Sequence, residues 1–127
     1  MNKRFTLKTS LLVAGLLALP MAQAATSMSK ADYSTAKARI SADYKTDKAG
    51  CAAMTANAKD VCIEEAKAKE KVALAELEYG YTGKVGDLRK WVEVKAKSAY
   101  AVAKEKCDDS AGNAKDVCVK EAKAVEV

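Results

Sequence analysis

The chain has 127 residues, a formal charge of +5, no histidine and four cysteines. A length of this order holds one small domain. The absence of histidine removes the commonest general base and the commonest metal ligand, and the cysteines lack the close spacing of a zinc site. No nucleophile elbow, phosphate-binding loop or HExxH element is present, so no catalytic residue, cofactor or metal site is expected.

The N-terminus reads as a cleavable export signal over residues 1–24. Lys3, Arg4 and Lys8 precede an apolar run from Leu11 to Leu19, Pro20 ends it, and Ala22-Gln23-Ala24 supplies a small-x-small cleavage site. The run is too short for a membrane span, which needs roughly 20 apolar residues. Cleavage would leave about 100 residues. It would also lower the net charge from +5 to +2, because the signal holds three basic residues and no acid. A near-neutral chain with interspersed charges is not expected to bind nucleic acid or an anionic membrane surface.

The remainder is rich in alanine and lysine, both strong helix formers. The expected fold class is all-α, with two disulfide-stapled antiparallel hairpins. Alanine buries little area, so the core should be thin and in need of staples. In the first hairpin, residues 25–79, Ser29 and Asp32 form a capping-box-like start. Tyr33, Ile40 and Tyr44 share one side of the first helix, and residues 52–56 form the loop. Asn57 is the expected N-cap of the second helix, which carries Val61, Ala68, Val72, Ala75 and Tyr79 on one stripe and an i,i+4 pair of Glu65 with Lys69. Glu64 and Glu65 read as a solvated face. Residues 80–86 read as a glycine-rich connector. The second hairpin, 87–127, has a third helix to Lys106, a loop over 108–112, Asn113 as N-cap and a short fourth helix.

The two hairpins are one unit used twice. Residues 57–68 and 113–124 match at ten of twelve positions with an offset of 56, and Tyr44, Lys48 and Cys51 align with Tyr100, Lys104 and Cys107. This is the signature of a duplicated supersecondary element. Four cysteines allow three pairings. Local staples, Cys51–Cys62 and Cys107–Cys118, suit a hairpin symmetric about its loop; the same symmetry places Lys48 opposite Glu65 and Lys104 opposite Glu121. The alternative crosses the units, Cys51–Cys118 and Cys62–Cys107. Its geometry resembles the twin C-x9-C hairpins of the mitochondrial intermembrane space, although ten residues intervene here and Gly112-Asn113 interrupts the helix it needs.

Residues 104–124, with the duplicated Asn-Ala-Lys-Asp-Val-Cys element, resemble small exported proteobacterial proteins loosely labelled TolA-like cell-envelope proteins. The resemblance implies a periplasmic or secreted location in a Gram-negative bacterium and no mechanism. The function expected is non-enzymatic, with a structural, stress-related or partner-binding role. Tyr79, Tyr81 and Trp91 flank the connector; they read as packing where the hairpins meet, or as an aromatic patch for a protein or envelope polymer. A membrane-active toxin is a third and more distant reading, since the helical faces are mostly alanine.

Overall fold

The computed structural model describes residues 27–124 and 126, so the export signal lies outside the described residues. Four helices follow in order: α1 (Lys30–Gly50), α2 (Ala56–Thr82), α3 (Val85–Lys106) and α4 (Gly112–Ala124). Short 3-10 turns at Cys51–Ala53 and Cys107–Asp109 end α1 and α3. No strand occurs among the described residues, and no helix there is long and apolar enough to cross a membrane.

Local chemistry accounts for several helix ends. Ser29 Oγ accepts the Asp32 amide at 3.1 Å and donates to the Asp32 carboxylate at 2.7 Å. This caps the first turn of α1 through the serine half of a capping box, with the Asp32 carboxylate taking the Ser29 hydroxyl rather than its backbone N–H. Acids in the first turns of α1 and α3 and lysines in their last turns match the helix dipole. Gly83 takes the left-handed conformation, φ 62°, and its amide bonds back to Tyr79 O at 2.8 Å. That is the C-terminal stop for which glycine is favoured.

The connector is shorter than the glycine pattern suggests. Gly80 lies inside α2 and Gly86 inside α3, leaving Gly83 and Lys84 between the helices. The turn is held by the Thr82 hydroxyl, which donates to Asp87 at 2.5 Å and accepts the Lys84 amide at 3.2 Å. Packing of α2 on α3 carries both helices through glycines that would otherwise weaken them by about 1 kcal/mol each. α3 accordingly starts at Val85 rather than Asp87.

The helices form an antiparallel row in chain order. α2 with α3 is the most extensive contact, α1 packs on α2, and α4 packs on α3. Trp91, which meets α2, and Cys107, which meets α4, lie about 160° apart around α3, so α3 is covered on opposite sides. α2 is likewise two-sided. Its Ala68, Val72 and Tyr79 face α3, while Cys62, Ala66 and Ala73 face α1. The core is as thin as the alanine content implies: among the described residues, Cys51, Ala66, Ala75, Leu77, Ser98, Cys107 and Ala122 are buried. Two of these pairs, Cys51/Cys107 and Ala66/Ala122, are equivalent in the repeat.

Both disulfides are local. Cys51–Cys62 and Cys107–Cys118 each span Cα atoms 5.7 Å apart. The crossed pairing is not formed. Because the helices alternate in direction, both staples lie at the same end of the row. Asn57 Nδ2 donates to Glu105 O at 3.2 Å there and ties the two closed ends together.

The expected charge pairs are replaced. Lys48 lies over the Tyr44 ring, 6.0 Å from its centroid, and does not meet Glu65. Lys104 and Glu121 form no ion pair either. Glu65 pairs with Lys106 of α3 and Lys69 with Asp47 of α1, both at 2.8 Å, so the i,i+4 pair of Glu65 with Lys69 does not form. A middle helix has a neighbour on each side, and long side chains one turn apart reach outward to different helices. Glu64 bridges Lys67 within α2 at 3.0 Å. The N-caps also move. Thr55 precedes α2 without a side-chain cap, and Asn57 and Asn113 lie inside the first turns. The helices start one residue earlier, at Ala56 and Gly112, each with positive φ.

Candidate functional site

The end of the row opposite the disulfides gathers Tyr33, Tyr79, Tyr81 and Trp91. α2 and α3 bring Tyr79 and Trp91 face to face across their seam, ring centroids 6.0 Å apart and planes within 19°. Both are half-buried. The Trp91 indole Nε1–H is buried without a hydrogen-bond partner among the described residues. Tyr81, one half-turn further along α2, points instead toward α1. Its ring meets Tyr33 at 4.6 Å with an interplanar angle of 32°, and it is 38% exposed.

The three aromatic residues singled out in the sequence thus do not make one patch. Tyr79 and Trp91 close the α2–α3 seam, and Tyr81 pins α1 to the end of α2. The structure adds Tyr33, which lies far from the connector in sequence. Its hydroxyl donates to Glu78 at 2.5 Å. That bond, with desolvation and the nearby carboxylate charge, raises the Tyr33 pKa above its ordinary value. The capping box upstream hinted at Tyr33, because it anchors the helix that delivers the ring to this end.

Beside the clamp is a crevice of about 400 Å³, with Tyr33, Leu74, Ala75, Glu78, Asp87 and Val94 in its wall. Its two carboxylates are engaged, Glu78 by Tyr33 and Asp87 by Thr82. Lys37, Lys71 and Lys90 complete the lining. The crevice is therefore a polar notch between three helices whose acidic groups serve the fold. At the other end all four cysteines are consumed by the two staples.

The chain matches no protein family, no curated protein and no solved structure.

Proposed function

We propose that this is a non-enzymatic, exported helical protein of the Gram-negative cell envelope, acting in a structural, stress-related or partner-binding role. The observation that carries the reading is the pair of local disulfides, each closing a copy of the same hairpin. Stable structural disulfides belong to oxidising compartments, and residues 1–24 have the order of charges, apolar run and cleavage site of an export signal. The resemblance to TolA-like envelope proteins agrees with that location. In this reading the row of helices is a stiff plate, stapled at one end and clamped by aromatic rings at the other, that presents helix faces to other molecules.

Fractionation of the producing cell tests the location. The expected product is an oxidised protein beginning at Ala25 in the periplasm or medium; a reduced, uncleaved protein in the cytoplasm would overturn the proposal. Catalytic turnover of a substrate by the purified exported form would overturn the non-enzymatic part.

A second reading, an adaptor acting through the aromatic end, draws support from the exposure of Tyr81. Capture from envelope extracts should then be lost when Tyr81 becomes Ala, with Tyr79→Ala and Trp91→Ala weakening it through the seam. Unchanged capture by Tyr81→Ala counts against this reading.

A further inference from the structure

We propose that the open groove between α2 and α3, on the side of their seam away from the Tyr33 crevice, docks an amphipathic helix with acidic flanks from a protein partner. The inference rests on the partner-binding role above but uses a different surface from the aromatic end. The groove has a volume of about 530 Å³. Its floor is Ala68 and Val72 of α2 with Ser98, Ala99, Val102 and Ala103 of α3. Lys69, Lys95 and Lys106 complete its lining.

Three properties of this surface select a helix as occupant. Small floor residues let a third backbone approach closely, since interaxial distance follows side-chain size at the contact. The surface is also long. Val85, Leu88, Val92, Ala99 and Val102 recur at three, four, seven and three residues and so continue one side of α3. Val85 and Val92 are 62% and 59% exposed. From Val85 to Lys106 this side runs about 33 Å, room for a helix of six turns. Thirdly, the charged side chains that line it are lysines. Lys95 has no carboxylate within ion-pair distance among the described residues. Lys69 and Lys106 pair with Asp47 and Glu65, but their side chains are 73% and 55% exposed. Exposed ion pairs contribute little to stability, so giving up such a pair for an incoming carboxylate costs little. An acidic flank on the incoming helix would meet all three lysines.

Other occupants fit less well. A second copy docked through the same face would set lysines against lysines, and a flat bilayer would meet the ridges without reaching the alanine floor. An amphipathic helix lying in an apolar groove is a recurrent recognition mode, with flanking charge setting the choice of partner.

The test uses the oxidised exported chain and a labelled synthetic helix of about 20 residues, long enough to be helical, with Leu and Ala on one face and Glu on its flanks. Fluorescence anisotropy should show saturable binding that weakens as salt is added. Lys95→Glu should weaken it about tenfold or more, because it places like charges at the contact. Ala99→Trp should abolish it by filling the floor. Lys97→Glu makes the same charge change two residues away, about 200° around α3, and should leave affinity within about twofold. Circular dichroism and disulfide mapping establish that each variant is folded; if Ala99→Trp is not, Lys95→Gln gives the same reading through charge alone. Equal binding of a Lys-flanked peptide, or equal effects of Lys95→Glu and Lys97→Glu, would overturn the proposal. So would capture by phosphatidylglycerol vesicles, or self-association by sedimentation, in place of peptide binding. Failure of the peptide test with correct periplasmic location would remove this surface and leave the envelope reading standing.

Discussion

The two hairpins close alike and open differently. At the closed ends the disulfides bridge the same 5.7 Å between Cα atoms, the preceding 3-10 turns match, and Ala66 and Ala122 are buried in equivalent places. Away from the staple they part. α2 runs for 27 residues and α4 for 13. α1 is held at its far end by Tyr33, which bonds Glu78 and packs on Tyr81; the repeat places Arg89 at that position in the second hairpin. The closed end is thus a portable local cassette. The open end depends on tertiary contacts that only the first hairpin makes.

The largest expected effects come from cutting each staple in turn. A disulfide enclosing a loop of this size should stabilise by about 2–3 kcal/mol, largely by restricting the unfolded chain. The local consequences should differ. An isolated helix of 13 residues is marginal in water, so Cys107→Ser with Cys118→Ser should melt α4 and abolish its slow amide exchange. Cys51→Ser with Cys62→Ser should leave α1 protected near Tyr33 while its end at Lys48 frays. Equal loss of protection in α1 and α4 would show that the far-end clamp contributes nothing. Non-reducing tryptic maps, with cleavage at Lys59 and Lys115, should first recover the two local links.

Next in size is the clamp itself. Tyr33→Ala should release the first turns of α1 to exchange without affecting α4. The bond has a pH signature. The neutral Tyr33 phenol donates to the Glu78 carboxylate, which raises the phenol's pKa. A raised folded-state value means the contribution is complete below the unfolded value, about 10, and is lost as pH rises through the folded one. Ultraviolet titration should show the Tyr33 phenol ionising late. Tyr33→Phe should remove that step, and Glu78→Gln should move it back down. A titration unchanged by Tyr33→Phe would dissolve the contrast between the two open ends.

Much of the closed end was legible in the sequence because its determinants are local. Ser29 and Asp32 announce their own turn, and the repeat about each loop gives the staple and the approximate register. What failed involved a second neighbour. Glu65 and Lys69 look like partners on an isolated helix, yet in the middle of a row they diverge to Lys106 and Asp47. Gly80 and Gly86 look like breaks, yet α2 and α3 support each other through both. The aromatic residues around the connector read as a group, but Tyr81 turned to a residue in α1 that no local pattern connects to it.

A smaller contrast sits at the start of the second helix in each hairpin. Ala56 has φ 50° and its counterpart Gly112 has φ 56°. A side chain in the left-handed region costs about 1–2 kcal/mol, partly offset for glycine by its greater freedom when unfolded. Ala56→Gly should therefore stabilise by about 0.5–1 kcal/mol, and Gly112→Ala should destabilise by about the same. A Cβ at Gly112 would meet no atom within 4 Å, so any loss there is conformational rather than steric. Urea unfolding midpoints read both changes, and effects of the same sign would mean that the two turns are not equivalent.

The smallest effect separates two asparagines that the repeat makes identical. Asn57 Nδ2 donates to the carbonyl of Glu105, near the C-terminal end of α3 where helix carbonyls lack intrahelical partners. Asn113 lies in the first turn of α4, and its side chain makes no hydrogen bond to another helix among the described residues. The same short sequence therefore joins two hairpins in one copy and makes no such link in the other. Asn57→Ala should lower stability by about 0.5–1.5 kcal/mol, the net value of one partly buried hydrogen bond. Asn113→Ala should fall within about 0.5 kcal/mol of the parent, as surface changes usually do. If both substitutions cost the same, the asparagines act within their own first turns, and the cassette is a purely local closure. If only Asn57 matters, the duplicated segment has acquired a joining role from its position in the row, where the C-terminal end of α3 lies beside it.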